Sequence, residues 1–96
     1  MKIEDAEIDL LLRLRNPEYA AGYLEAVLAE EDERTFLVAL RNVIDAFGGM
    51  GALSAKGKLT RQGLYKIASA NGNPTIGTLR KVLKPLGLRI SVKAAA

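Results

Sequence analysis

The sequence predicts an all-α protein: a bundle of five to six short helices containing a helix-turn-helix, closed by a short C-terminal β-strand. Three observations carry that expectation. Apolar residues recur at three- and four-residue spacing along most of the 96 positions, capping residues break the pattern into short lengths, and the period drops to two only after Gly87. The length suits one hydrophobic core, so residues 1–96 read as a single domain. Hydrophobic residues at 49% and charged residues at 26% are ordinary for a folded chain. With three Tyr, two Phe and no Trp, the core must rest on Leu, Val, Ile and Ala.

Residues 1–15 form an N-terminal helical extension. EDAEIDLLLRLR (4–15) places Ile8, Leu11, Leu12 and Arg15 on one helical face, although Leu10, Leu12 and Leu14 also fit strand alternation. Acids lead and arginines follow, as a helix dipole favours, so the segment reads as a helix. Residues 16–49 form an acidic helical half. Asn16-Pro17-Glu18 supplies an N-cap, a proline at the first helical position and an acid in the first turn. The stripe Ala20, Tyr23, Leu24, Val27 and Leu28 then carries a second helix to about Glu30. Asp32 caps a third, with Phe36, Leu37, Leu40, Val43, Ile44 and Phe47 inward, and Gly48-Gly49 stops it.

Residues 50–70 read as the helix-turn-helix. Met50 to Lys56 gives a first helix of about two turns, with Met50 and Leu53 inward. Thr60 caps the second, and Leu59 and Leu64 occupy the positions of a hydrophobic staple. Leu64, Ile67 and Ala68 form its buried stripe, and Asn71-Gly72 ends it. Residues 75–87 are a closing helix introduced by Pro74-Thr75, with Ile76, Leu79, Val82, Leu83 and Leu86 inward, Pro85 in the last turn and Gly87 at the end. Over 88–93, Leu88, Ile90 and Val92 alternate with Arg89, Ser91 and Lys93, the period of a half-buried strand. A lone strand leaves its hydrogen bonds unmade. The same strand of a second subunit satisfies Leu88, Ile90 and Val92 best, making a homodimer; residues near Ile3 are the alternative partner.

Charge divides the chain. Residues 1–49 hold five Lys/Arg against eleven Asp/Glu, net −6, whereas residues 50–96 hold nine Lys/Arg and no acid, net +9. A net +3 for the whole chain hides two halves of opposite sign, and the basic half points to a polyanionic partner. The sequence contains no His and no Cys, which removes the usual nucleophilic pairs and the nitrogen and sulfur ligands of zinc. No cofactor or metal is expected. Glu30, Glu31, Asp32 and Glu33 are consecutive between two helical patterns, the usual form of a solvated helix junction, so an enzyme is the poorest fit. Absence of Cys suits a cytoplasmic protein, and Leu10-Leu11-Leu12 is too short an apolar run for a membrane span or signal-peptide core.

On the helix begun at Thr60, the inward stripe leaves Arg61, Gln62, Tyr65 and Lys66 projecting outward. Arg and Lys reach guanine acceptors, Gln pairs with adenine, and Tyr donates to phosphate or packs on a thymine methyl. Thr60 offers a hydroxyl and nearby amides to a phosphate. Lys56 and Lys58, with Arg80, Lys81 and Lys84, extend the positive field, and Asn73 and Thr75 complete the expected contacts to double-stranded DNA. Each taken singly reads as ordinary solvated surface. Taken together, with no acid to balance them, they read as a DNA-binding face.

From Asn16 to Val92 the chain also resembles the addiction-module antidote family, antitoxins with an Xre/Cro-type helix-turn-helix. NPEYAAGYLEAVLAEEDE, ALRNVIDAFGGM, LTRQGLYKIAS, GNPTIGTLRKVL and LGLRISV carry the resemblance, in order, over roughly four-fifths of the chain. It implies a λ-repressor-like helical fold, a homodimer on operator DNA, repression of its own operon, and neutralisation of a cognate toxin, commonly a small basic ribonuclease of the RelE type. Lys58 stands between Gly57 and the turn residue Leu59, and Gly63 stands where such helices carry Glu or Ser; both bear on the register of base contacts. Toxin binding falls to the acidic half, at Glu25, Glu30, Glu31 and Glu33 beside the second and third helices. Two other readings are a plain Xre-type regulator without a toxin, and a toxin-sequestering interaction protein whose helix-turn-helix is vestigial.

Overall fold

A computed structural model describes residues 3–57, 59–60, 62–64 and 73–95. Its described residues are all helical or irregular. Five α-helices, α1 (Ile3–Leu14), α2 (Pro17–Leu28), α3 (Glu33–Phe47), α4 (Met50–Gly57) and α5 (Ile76–Leu83), are followed by a 3₁₀ turn, Lys84–Leu86. Residues 62–64 are also helical. No single helix among the described residues is long and apolar enough to cross a membrane.

Local chemistry sets the boundaries. Asn16 Oδ1 accepts from the Glu18 amide at 2.9 Å and Pro17 follows at the first helical position, as expected. Asp32 Oδ1 accepts from the Arg34 amide at 3.0 Å and starts α3. The same helix ends at Gly48, whose φ of 129° disfavours any side chain. There the Gly48 amide donates to the Asp45 carbonyl and the Gly49 amide to the Ile44 carbonyl, the paired bonds of a Schellman ending. The break bends the chain by 76° between α3 and α4. Gly87, with φ 78°, closes the 3₁₀ turn by the same pairing, its amide on Lys84 and that of Leu88 on Leu83. Proline at position 85 needs no amide in that tight last turn.

The core forms around α3, which packs on α1, α2 and α4; α4 in turn meets α5 and the 3₁₀ turn. Leu40, Ile44, Leu53 and Val82 are the largest fully buried side chains. Burying each removes apolar surface worth about 1.5–3 kcal/mol. The Asn42 amide donates to the Tyr23 hydroxyl at 3.1 Å, tying α3 to α2 where both are part-buried. Ala39 and Ala46, outside the expected stripe of α3, are buried as well, because their small side chains admit neighbouring helices closely.

Several expectations need correcting. In α1 the buried face is Leu14 with Leu10 and Leu11 partly buried beside it, while Ile8 and Leu12 are 56% and 53% exposed. The helix is apolar on two sides, and α3 covers the one centred on Leu14. Leu28 and Ile76, expected inward, are largely exposed. The expected C-terminal strand at 88–93 is absent from the described residues: the segment runs without a ladder because no other described segment of the chain pairs with it. Leu88 instead packs partly buried against its own core, and Val92 is 94% exposed.

Candidate functional sites

The residues of the expected DNA face begin where α4 ends. The Ser54 hydroxyl donates to the Leu59 carbonyl at 3.2 Å and holds the connection between α4 and the next helical turn. Leu59 and Leu64 are both buried in the core cluster, as their staple positions predict. Thr60 Oγ1 accepts from the Gly63 amide at 3.1 Å, so Thr60 is the expected cap. Of the residues assigned to DNA, Lys58, Arg61, Tyr65 and Lys66 lie outside the described residues, as do Ile67, Ala68 and Asn71-Gly72 of the same expected helix. Gln62 is exposed beside the capped turn. Lys56 is exposed too, its Nζ 5.3 Å from the centre of the Phe47 ring, a cation–π contact. Asn73 and Thr75 are exposed at the entry to α5. The Thr75 hydroxyl is engaged locally: it accepts from the Thr78 amide at 3.1 Å and donates to the Thr78 hydroxyl at 3.1 Å, capping α5.

A second feature was not foreseen from sequence. An open groove of about 640 Å³ runs between the end of α2, the α2–α3 junction and the start of α3 on one side, and α5 with residues 88–91 on the other. Leu28, Ile76 and Ile90, respectively 55%, 63% and 41% exposed, present apolar surface along it, and part-buried Phe36 lines it too. Its rim is acidic. Glu25, Glu31 and Glu33, three of the four acids expected to face a toxin, line it together with Asp32; Glu30 is exposed but does not line it. Arg89 stands on the opposite wall.

The junction that carries these acids is tightly built. The amides of Ala29, Glu30 and Glu31 donate back to Glu25, Val27 and Leu28 at 3.1 Å each. Glu31 then adopts φ 60°, a left-handed conformation that costs a non-glycine residue about 1 kcal/mol or more. Asp32 is committed to its cap: Oδ2 accepts from the Thr35 hydroxyl at 2.8 Å, and Oδ1 takes the Arg34 and Thr35 amides. The Thr35 hydroxyl bond, followed by the Thr35 amide, holds the Asp32 carboxyl below the ordinary value of 3.8. Glu25 is met by Lys93, with Nζ 3.6 Å from Oε1, in a pair exposed to solvent.

Residues 4–94 match the profile of a family described as "probable addiction module antidote protein". The chain belongs to this family of addiction-module antidotes. A Haemophilus influenzae protein (strain ATCC 51907 / DSM 11121 / KW20 / Rd), described as uncharacterized, is 33% identical over 87 residues, spanning 91% of this chain and 89% of its own. No solved structure matches the chain. Membership in an antidote family supports an antitoxin role and implies a cognate toxin as partner.

Proposed function

We propose that this antidote is a cytoplasmic, DNA-binding antitoxin that represses its own operon and neutralises a basic ribonuclease toxin of the RelE type. The observation that carries the reading is the segregation of charge: nine Lys/Arg and no acid over residues 50–96, against eleven acids over residues 1–49. A basic toxin is drawn to the acidic half and repelled by the basic one, while DNA is drawn the other way. The basic half supplies α4 and the helical turn capped by Thr60, joined over buried Leu59, as a helix-turn-helix of Xre/Cro type in a λ-repressor-like fold. Arg61, Gln62, Tyr65 and Lys66 read the bases, and Lys56, Lys58, Thr60, Asn73 and Thr75 hold the backbone. Two copies bind as a homodimer, pairing along the backbone edge of residues 88–93, on half-sites about one helical turn or a multiple apart.

The test has two arms. In a gel shift on the promoter of its own operon, the protein should retard the DNA, and an Arg61→Ala/Gln62→Ala double variant should lose sequence preference. Co-expressed with the adjoining gene, it should co-purify with that gene's product and restore growth. Retention of DNA binding without any toxin complex leaves a plain regulator; toxin capture without a shift leaves a sequestering protein.

A further inference from the structure

The groove asks what covers it. Leu28, Ile76 and Ile90 leave apolar surface in water on three separate elements that converge on one trough, which partly buried Phe36 also lines. Isolated exposed apolar residues are ordinary, but a contiguous patch rimmed by charge marks an interaction surface. The chain's own C-terminal segment does not close it: residues 88–91 form one wall, and beyond them Val92 stands almost wholly in solvent. The rim states which sign of charge is wanted. Glu31 and Glu33 line it with no ion pair between described residues, Asp32 is spent on its cap, and Glu25 has drawn in Lys93. Glu25 thus already meets one exposed cation, Lys93, from its own chain.

We infer that this groove is the docking site of the cognate toxin, and that it takes one amphipathic basic segment of that protein. The inference rests on the antitoxin reading above. Apolar side chains of the segment lie on Leu28, Phe36, Ile76 and Ile90, and its Lys or Arg side chains meet Glu31 and Glu33 and displace Lys93 from Glu25. This is the helix-in-groove mode, in which apolar anchors give affinity and rim charges set orientation and association rate. A second copy is the poorer occupant, since its basic C-terminal segment already lines this groove in its own subunit through residues 88–91. A consequence follows for the division of labour between the halves. Asn73, Pro74, Ile76 and residues 88–91 belong to the basic half, so the toxin site is assembled from both halves and borders the entry to α5.

Purified full-length protein should be titrated with a short Leu/Lys peptide patterned as an amphipathic helix, and with its Leu/Glu counterpart, by fluorescence anisotropy. The cationic peptide should bind and the anionic one should not. Ile76→Arg should weaken binding by about tenfold or more, as expected for loss of a central apolar anchor. Ile76 is mostly exposed, so the variant should keep its melting temperature, and Ile8→Arg on the equally exposed face of α1 should leave binding unchanged. Glu31→Lys with Glu33→Lys should slow association at low salt by about tenfold. The toxin encoded by the adjoining gene should compete with the peptide and lose affinity for the same variants. Equal binding of both peptides, or a toxin that binds wild type and Ile76→Arg alike, overturns the inference, as does Ile76→Arg turning a homodimer into monomers. If the adjoining gene's product does not bind the wild type at all, the antitoxin reading fails, and the groove stands or falls on the peptides.

Discussion

Asp32 and Gly63 show how single positions are tuned. The Asp32 carboxylate accepts from two amides and from the Thr35 hydroxyl at the start of α3, and those bonds favour its ionised form, lowering its pKa below 3.8. A group whose pKa is depressed on folding contributes stability above its unfolded value and loses it as pH falls through the folded one. Melting temperature should therefore drop as acid is added below 3.8, and Asp32→Asn, which keeps a capping oxygen without the charge, should flatten that part of the profile. Gly63 lies in the first turn of a helix, where a Cβ would meet Thr60 Oγ1 at 3.4 Å and Thr78 Cγ2 at 3.9 Å, ordinary contact distances. Gly63→Ala should stabilise the fold by up to about 1 kcal/mol. On a domain of this size that raises the melting temperature by about 4–8 °C, readable by calorimetry. A fall would mean that Gly63 holds a conformation an alanine cannot adopt.

Among the elements, α1 separates a sequence reading from a structural one most clearly. Its spacing puts Ile8, Leu11 and Leu12 on one helical face, whereas the structure buries Leu14 and exposes Ile8 and Leu12. Leu14→Ala should cost about 2–5 kcal/mol in urea unfolding, as buried leucines do. The same change at Leu12 should cost well under half as much. The C-terminal segment is the second case. Alternation in Leu88, Ile90 and Val92 signals a strand, but a strand exists only where another pairs with it, and this single chain offers no partner among its described residues. If a second subunit supplies one, truncation after Gly87 should convert the protein to a monomer in sedimentation and weaken operator binding. A truncated chain that stays dimeric would move the interface to the helices.

For the molecule as a whole, opposite charge on the two halves matters more than the net +3. If each dimer neutralises about six to ten phosphates, affinity for the operator should fall by about 10³-fold or more between 50 and 200 mM salt. Lys58→Ala should weaken all sequences alike, because a phosphate contact carries no base information. Salt-insensitive binding would remove the electrostatic basis of the DNA reading. The toxin complex should respond to salt mainly through association rate, since its charges sit on the rim of an apolar trough.

Helix boundaries were legible in the chain because caps are local. Asn16, Asp32, Thr60, Gly48 and Gly87 each act on amides or carbonyls within a few residues, and short-range hydrogen bonds need nothing from the rest of the fold. The two charged halves, the central stripe of α3 and the staple at Leu59 and Leu64 are of the same kind, written by spacing alone. Burial is different, because it depends on which distant element arrives. Whether Leu12 or Leu14 faces inward was settled by α3 packing against α1, and whether 88–93 forms a strand depends on a neighbour that the described residues of one chain do not supply. The groove belongs wholly to this second kind. Its acids come from residues 25–33 and its second wall from residues 73–91, forty or more positions away, so no local pattern could announce it. Only packing brings Leu28, Ile76 and Ile90 to one groove and leaves all three exposed.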